Sequence, residues 1–329
     1  MSKQRLYFFD NAKFILITLV LVGHFFEPIL TESSLARTIY IFIYTFHMPA
    51  FIFIAGYFTK LNSNFRYYLI KNTKGLLVPY FIFQLLYLSF NSLLNYSGVP
   101  FNFKSPFWIL WFLVSLFFWR IIIYFIDKFK ISREVIFSAA FIIALAVGFS
   151  SRFGRLYSAS RTAVFFPFFI LGYYFKKYYP ASIFKNIFKD LNKSLILMIF
   201  SAEIILIFVF LNDLNLEILY GAISYYRLEL ISGQAFLSRS LFLSTALINI
   251  FLFFKIVPIE KNGISKRGAR SIYPYLLHGF IVIILDKYEV LSFLNPHFSF
   301  LIYLIFALVF SFILAAERTR NIFKYILEF

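Results

Sequence analysis

The chain has 329 residues, 61% of them hydrophobic, with 50 Phe and 23 Tyr and a mean hydropathy of +0.80, against about 45–50% apolar residues in soluble domains. That excludes an ordinary soluble enzyme, and the net charge of +17 does not call for nucleic acid, because inner loops of membrane proteins carry excess Lys and Arg and no soluble stretch is left to bind it. Cysteine is absent, which removes disulfides, thiolate nucleophiles and Cys-based metal sites.

Lys3 and Arg5 precede the first apolar run, as they would in a signal peptide. No small-residue cleavage site follows, and His24 would be odd in a discarded segment, so the run reads as a retained span. Runs near the ~20 residues needed to cross a bilayer predict about ten helices. They fall at 12–30, 38–58, 75–95, 107–126, 134–150, 162–178, 194–211, 240–257, 271–290 and 299–316. The expected fold is an all-α polytopic membrane protein, a single domain over 1–329. With the N-terminus inside, most of the 32 basic residues fall on inner segments, among them Lys71, Lys74, Lys176, Lys177, Lys266, Arg267 and Arg270. That bias predicts both termini in the cytoplasm.

The first helix carries the clearest chemistry. Asp10, Lys13 and His24 interrupt an otherwise apolar run. Eleven residues of helix separate Lys13 from His24 by roughly 20° around the axis and about 16 Å along it. Asp10 lies one turn before Lys13 on nearly the same face. One stripe thus bears a carboxylate and an ammonium at its mouth and an imidazole deep inside. Ionisable groups in a span are costly and face a cavity or a partner. His47 on the second span and Glu203 on the seventh lie at similar expected depth, and His278 sits two turns into the ninth. Two imidazoles and a carboxylate at one depth can line one cavity, but each can also be a plain interhelical hydrogen-bonder.

Two outer segments carry polar groups. Segment 148–161 holds Arg152, Arg155 and Arg161, and segment 212–239 holds Tyr225, Tyr226, Arg227 and Glu229. Solvated loops explain both; so does a mouth for an anionic or hydroxyl-rich ligand, since Arg donors arrive in a fixed fork. No Gly-rich phosphate loop, HExxH or paired-carboxylate signature appears, so no metal is expected and spacing alone does not fix the reaction. A buried neutral imidazole can take a proton from an attacking hydroxyl or carry an acyl group itself.

Several stretches in order resemble one family. Asp10-x-x-Lys13 followed by His24 is similar to the first-helix motif of the acyltransferase-3 family of integral membrane acyltransferases, with Lys13 where that family usually has Arg. Phe46-His47-Met48-Pro49 through Gly56-Tyr57 resembles its second span, and Lys71 to Tyr80 its basic, Pro-Tyr entry to the third. Trp108 to Leu113 resembles its Trp-Phe-Leu segment, and Tyr273 to Gly279 its late Leu-His segment. Ser160-Arg161 through Tyr173-Tyr174 looks like the branch related to fucose 4-O-acetylase and capsular polysaccharide O-acetyltransferases. The hydrolase-like domain that some members append is not expected here.

The resemblance implies transfer of an acyl group, usually acetyl from acetyl-CoA, to a hydroxyl of a cell-surface or lipid-linked glycan, in a bacterial plasma membrane. It implies a catalytic set of His24, Asp10 and His47: His24 as general base or acyl acceptor, Asp10 orienting Lys13 at the donor with Lys74 in support, and His47 lining the acceptor path. Arg161, Glu203, Arg227 and His278 are expected on the acceptor path. Expected partners are acyl-CoA, the glycan and membrane lipid, not nucleic acid. The competing expectation is a transporter or flippase for a lipid-linked sugar, in which buried His and Glu relay protons. No paired repeats of the transporter kind are visible. A membrane scaffold, with its buried polar groups serving as helix glue, is a third reading.

Overall fold

The computed structural model describes residues 7–96, 102–178, 192–290 and 295–328, without the side chains of Ser232, Pro296 and His297. Lys3 and Arg5, expected on the inner side with Lys185 and Lys189, lie outside the described residues, as do those two. Every regular element among the described residues is helical.

Helix α1 spans Tyr7–Phe26. It contains Asp10, Lys13 and His24, as the shared stripe requires. Pro28 has no N–H to continue the helical ladder, and the chain tightens into a 3-10 turn at Glu27–Ile29. Helices α2 (Ser34–Phe58), α3 (Phe65–Asn72), α4 (Val78–Leu94), α5 (Trp111–Lys128), α6 (Arg133–Ala146) and α7 (Ala159–Tyr178) follow. A π-helical turn at Thr73–Leu77 joins α3 to α4. Then come α8 (Lys193–Phe210), the short α9 (Glu217–Tyr220), α10 (Ser232–Ile256), the short α11 (Ser265–Gly268), α12 (Ile272–Lys287), α13 (Pro296–Leu314) and α14 (Glu317–Leu327). Polar residues start several of them: Asn64, Ser132 and Asn192 each accept a backbone N–H of the first turn, which fills an otherwise unpaired donor.

Among the described residues six helices are long and apolar enough to cross a membrane, or seven if the bent pair α13–α14 is one span. They are Tyr7–Ile29, Ser34–Phe58, Phe65–Leu94, Trp108–Lys128, Lys193–Phe210 and Gly233–Ile256. Helices at other expected positions fall outside that length and composition for physical reasons. Helix α6 has 14 residues and α12 has 16, giving about 21 and 24 Å of rise against a hydrocarbon core of about 30 Å. Helix α7 has 20 residues but carries Arg161, Lys176 and Lys177. Helix α14 turns 66° from α13 and is amphipathic, with Ile322 and Tyr325 exposed beside Arg318, Arg320 and Lys324, the pattern of a helix lying in the interface.

The chain divides into two compact units, each assembled from separate stretches. The first comprises Met1–Phe51, Tyr178–Leu214 and Thr245–Phe323. At its centre α1 packs on α11, α12 and α13. Aromatic contacts such as Phe14–Phe312, with centroids 5.0 Å apart, supply the close packing that holds helices together where lipid offers no hydrophobic drive. The second unit comprises Ile52–Lys177, Asn215–Ser244 and Lys324–Phe329. There α2 and α7 touch backbone to backbone: a Cβ on Gly56 would lie 2.0 Å from the Phe169 carbonyl oxygen, and one on Gly172 2.0 Å from that of Phe53. Gln84 staples the chain beyond α4, donating to the carbonyls of Asn102 and Ser105 and accepting from Phe107 N–H.

Candidate active site

The N-terminal end of α1 is fixed by buried polar residues. Asn11 donates to the carbonyls of Pro258 and Glu260 at 2.8 and 2.9 Å, and its own carbonyl accepts from Ser265 Oγ at 2.7 Å. Gly268 then meets the α1 backbone: a Cβ there would lie 1.6 Å from the Asp10 carbonyl oxygen, a position only glycine can fill. This staple sets Asp10 and Lys13. Their side chains form an ion pair at 2.9 Å, with Lys13 Nζ on Asp10 Oδ1, as the i,i+3 spacing predicts. Lys13 keeps a quarter of its side chain exposed and Asp10 a tenth. Lys261, Lys266, Arg267 and Arg270 lie on the segment that the staple brings against this end of α1.

His24 lies three turns further along α1. Its Nδ1 is 2.8 Å from Glu27 Oε1. A carboxylate accepts, so Nδ1 carries the hydrogen and Nε2 holds the lone pair. Glu27 follows His24 by three residues at the end of α1, a spacing that puts both on one face. The Tyr44 hydroxyl stands 3.4 Å from His24 Nδ1 and 3.5 Å from Glu27 Oε1. Across the cluster, the His278 ring stacks on His24 with centroids 5.2 Å apart. His47 packs edge-on against Tyr44 at 4.6 Å. Both are buried, and each donates its Nδ1–H to a helical carbonyl, His47 to Ile43 at 2.8 Å and His278 to Pro274 at 2.7 Å. Those bonds put the basic lone pair of each ring on Nε2.

The structure therefore gathers His24, His47 and His278 around Tyr44 in one unit, with Asp10 and Lys13 at the start of the same helix. Glu203 has other contacts: its two carboxylate oxygens accept from Asn249 Nδ2 at 2.9 and 3.0 Å, and Asn249 also reaches Thr45 Oγ1 at 3.1 Å. Lys74, Arg161 and Arg227 belong to the second unit. Lys74 is exposed in the π-helical turn, and Arg227 is exposed in a 3-10 turn at Tyr225–Leu228. Arg161 donates to the Tyr220 carbonyl at 3.2 Å and lies over the Trp111 ring at 5.0 Å.

Residues that the sequence reading passed over complete the cluster. Glu27 and Tyr44 both contact His24, and Asn11, Ser265 and Gly268 hold the mouth. Only Glu27 carried a local signal, its spacing of three from a buried His. No group of three or more His, Asp or Glu able to hold a metal occurs among the described residues.

This arrangement is what a proton-transfer centre needs: a largely enclosed imidazole and a carboxylate that fixes its tautomer, with the Lys13–Asp10 ion pair on the same helix. Compared with known families, the chain matches an acyltransferase domain over residues 6–316. It belongs to the acyltransferase-3 family. The match contains α1 to α13 and every candidate residue above. No curated protein and no solved structure shows a significant match to the chain. The protein is a membrane acyltransferase, which takes an acyl group from a donor to an acceptor; the transporter and scaffold readings give way to that.

Proposed function

We propose that this enzyme moves acetyl from cytoplasmic acetyl-CoA to a hydroxyl of a cell-surface or lipid-linked glycan, with His24 as general base. The observation that carries the reading is the His24–Glu27 pair at 2.8 Å on a helix whose other end bears the Lys13–Asp10 pair. Glu27 holds the Nδ1–H, so His24 Nε2 receives the proton of the acceptor hydroxyl as its oxygen attacks the thioester carbonyl. The tetrahedral intermediate collapses, the C–S bond breaks, and the proton passes from His24 to the departing thiolate. The products are the O-acetyl ester and CoA.

Lys13 binds donor phosphate; for Lys74 a donor role rests on the family resemblance alone. The ~16 Å from Lys13 to His24 is a distance for an extended pantetheine arm to cover. His47 and His278 keep the His24 pocket polar enough for an imidazolium to form. Arg161, Arg227 and Glu203 serve acceptor recognition. The branch related to fucose 4-O-acetylase, a single domain over 1–329, a ten-span arrangement with both termini cytoplasmic, and a bacterial plasma membrane are parts of the same proposal.

The test is to incubate purified protein with labelled acetyl-CoA and the surface glycan. Label in the glycan, released by mild base as an ester is, supports the proposal. Glycan that stays unlabelled while acetyl-CoA is present refutes it.

A further inference from the structure

Arg239 is the most deeply buried cation among the described residues, with 1% of its surface exposed. It sits two turns into α10, beneath the loop that follows α9. Its Nε and Nη1 are both buried without a hydrogen-bond partner, and no carboxylate forms an ion pair with it among the described residues. Its companion is Tyr225, whose ring lies 5.5 Å from the guanidinium carbon and whose side chain also hydrogen-bonds it. Desolvating an ion is costly unless its donors are filled. Tyr225 leaves two of the buried guanidinium nitrogens without an acceptor.

The surroundings are cationic and built around one turn. Gly221, with φ of +60°, presents no side chain to the guanidinium: a Cβ there would stand 3.2 Å from Arg239 Nη1 and 3.1 Å from Val164 Cγ1. The preceding residue, Tyr220, offers its carbonyl to Arg161. Two arginines thus meet adjacent residues of a single turn. Ser160 Oγ donates to the Gly221 carbonyl at 2.7 Å, pinning the turn to the start of α7. The acid nearest this turn in sequence, Glu217, is taken by Arg155 at 2.9 Å.

We infer that Arg239 is the seat of an oxyanion on the acceptor, a carboxylate or a phosphate, held beside the Tyr220–Gly221 turn. This rests on the acyl-transfer reading for the word acceptor, but not for the binding site. The glycan acted on is then acidic, or is carried on a phosphodiester. The neutral form of the same sugar binds weakly because it leaves the buried donors unfilled.

The test is thermal unfolding of the full-length protein in detergent. Sodium phosphate, sodium glucuronate and glucose are each compared with sodium chloride at matched ionic strength. Phosphate or glucuronate is expected to raise the midpoint by about 2–4 °C and glucose to leave it unchanged. A shift with phosphate alone names a phosphodiester acceptor; one with glucuronate alone names an acidic sugar. Arg239→Gln removes the shift, and in plain buffer it unfolds no earlier than wild type, since it relieves an uncompensated charge. Arg239→Lys keeps the charge but loses the fork, and weakens anion binding about tenfold. The proposal is overturned if neither anion shifts wild type beyond chloride, if Arg239→Gln keeps the shift, or if Arg239→Gln unfolds early in plain buffer, which would make the residue a structural cation. CoA release is measured alongside: its absence in wild type refutes acyl transfer and leaves the anion result standing.

Discussion

Glu27→Ala is the most informative single change, because it leaves the base in place and removes only what orients it. The carboxylate lies 2.8 Å from His24 Nδ1, with 31% of the Glu27 side chain and 12% of the His24 side chain exposed. A hydrogen bond to a charged group contributes about 1.5–3 kcal/mol. Partial exposure of Glu27 screens the interaction, so the lower half of that range applies. The expected loss is roughly ten- to thirtyfold in kcat, with KM for acyl-CoA nearly unchanged, because Glu27 acts on the base and not on the donor. Glu27→Gln should lose less, since its amide oxygen still accepts from Nδ1–H while the charge is gone. The assay is CoA release read with a thiol reagent. The protein itself adds no background, having no cysteine. If Glu27→Ala retains wild-type kcat, the carboxylate does not set the tautomer of a working base, and the reasoning about His24 fails with it.

Further outcomes follow from neighbouring contacts. Lys13→Ala should raise KM for acyl-CoA about tenfold or more while kcat falls little, the signature of lost ground-state binding, measured by steady-state kinetics. Tyr44→Phe removes a hydroxyl that stands a long 3.4 Å from His24 Nδ1 but keeps the ring on His47, so the expected loss is below about threefold in kcat. Gly268→Ala forces a Cβ to 1.6 Å from the Asp10 carbonyl, and should cost about 1–3 kcal/mol or more of stability, seen as a lower unfolding midpoint. Asn249→Leu leaves the Glu203 carboxylate without the amide that bonds both its oxygens, and should destabilise the fold by about 1–3 kcal/mol without changing KM for acyl-CoA.

What could be read from sequence follows the range of the interactions involved. The Asp10–Lys13 pair and the shared stripe with His24 needed only helical periodicity, and the ion pair forms. His47 and His278 stood out as polar groups in apolar runs, and both reach the His24 cluster. Glu203 stood out in the same way, yet its bonds run to Asn249, a partner that depth along a helix cannot name. Tyr44 is one of 23 tyrosines, and nothing local marks it. The Asn11–Ser265 bond joins residues 254 apart, beyond any periodic pattern. Arg239 was placed in an outer segment because the apolar run begins only at 240. The helix itself starts at Ser232, which carries the guanidinium two turns inward and buries it. The expected spans over α6 and α12 rest on composition alone: both helices are apolar but short, and hydropathy reports composition before length.

The central claim is that His24 Nε2 is the base for acyl transfer. Membranes carrying His24→Ala, at protein levels matched to wild type, should transfer labelled acetyl from acetyl-CoA to the glycan at least about a hundredfold more slowly. Transfer at the wild-type rate would contradict the account.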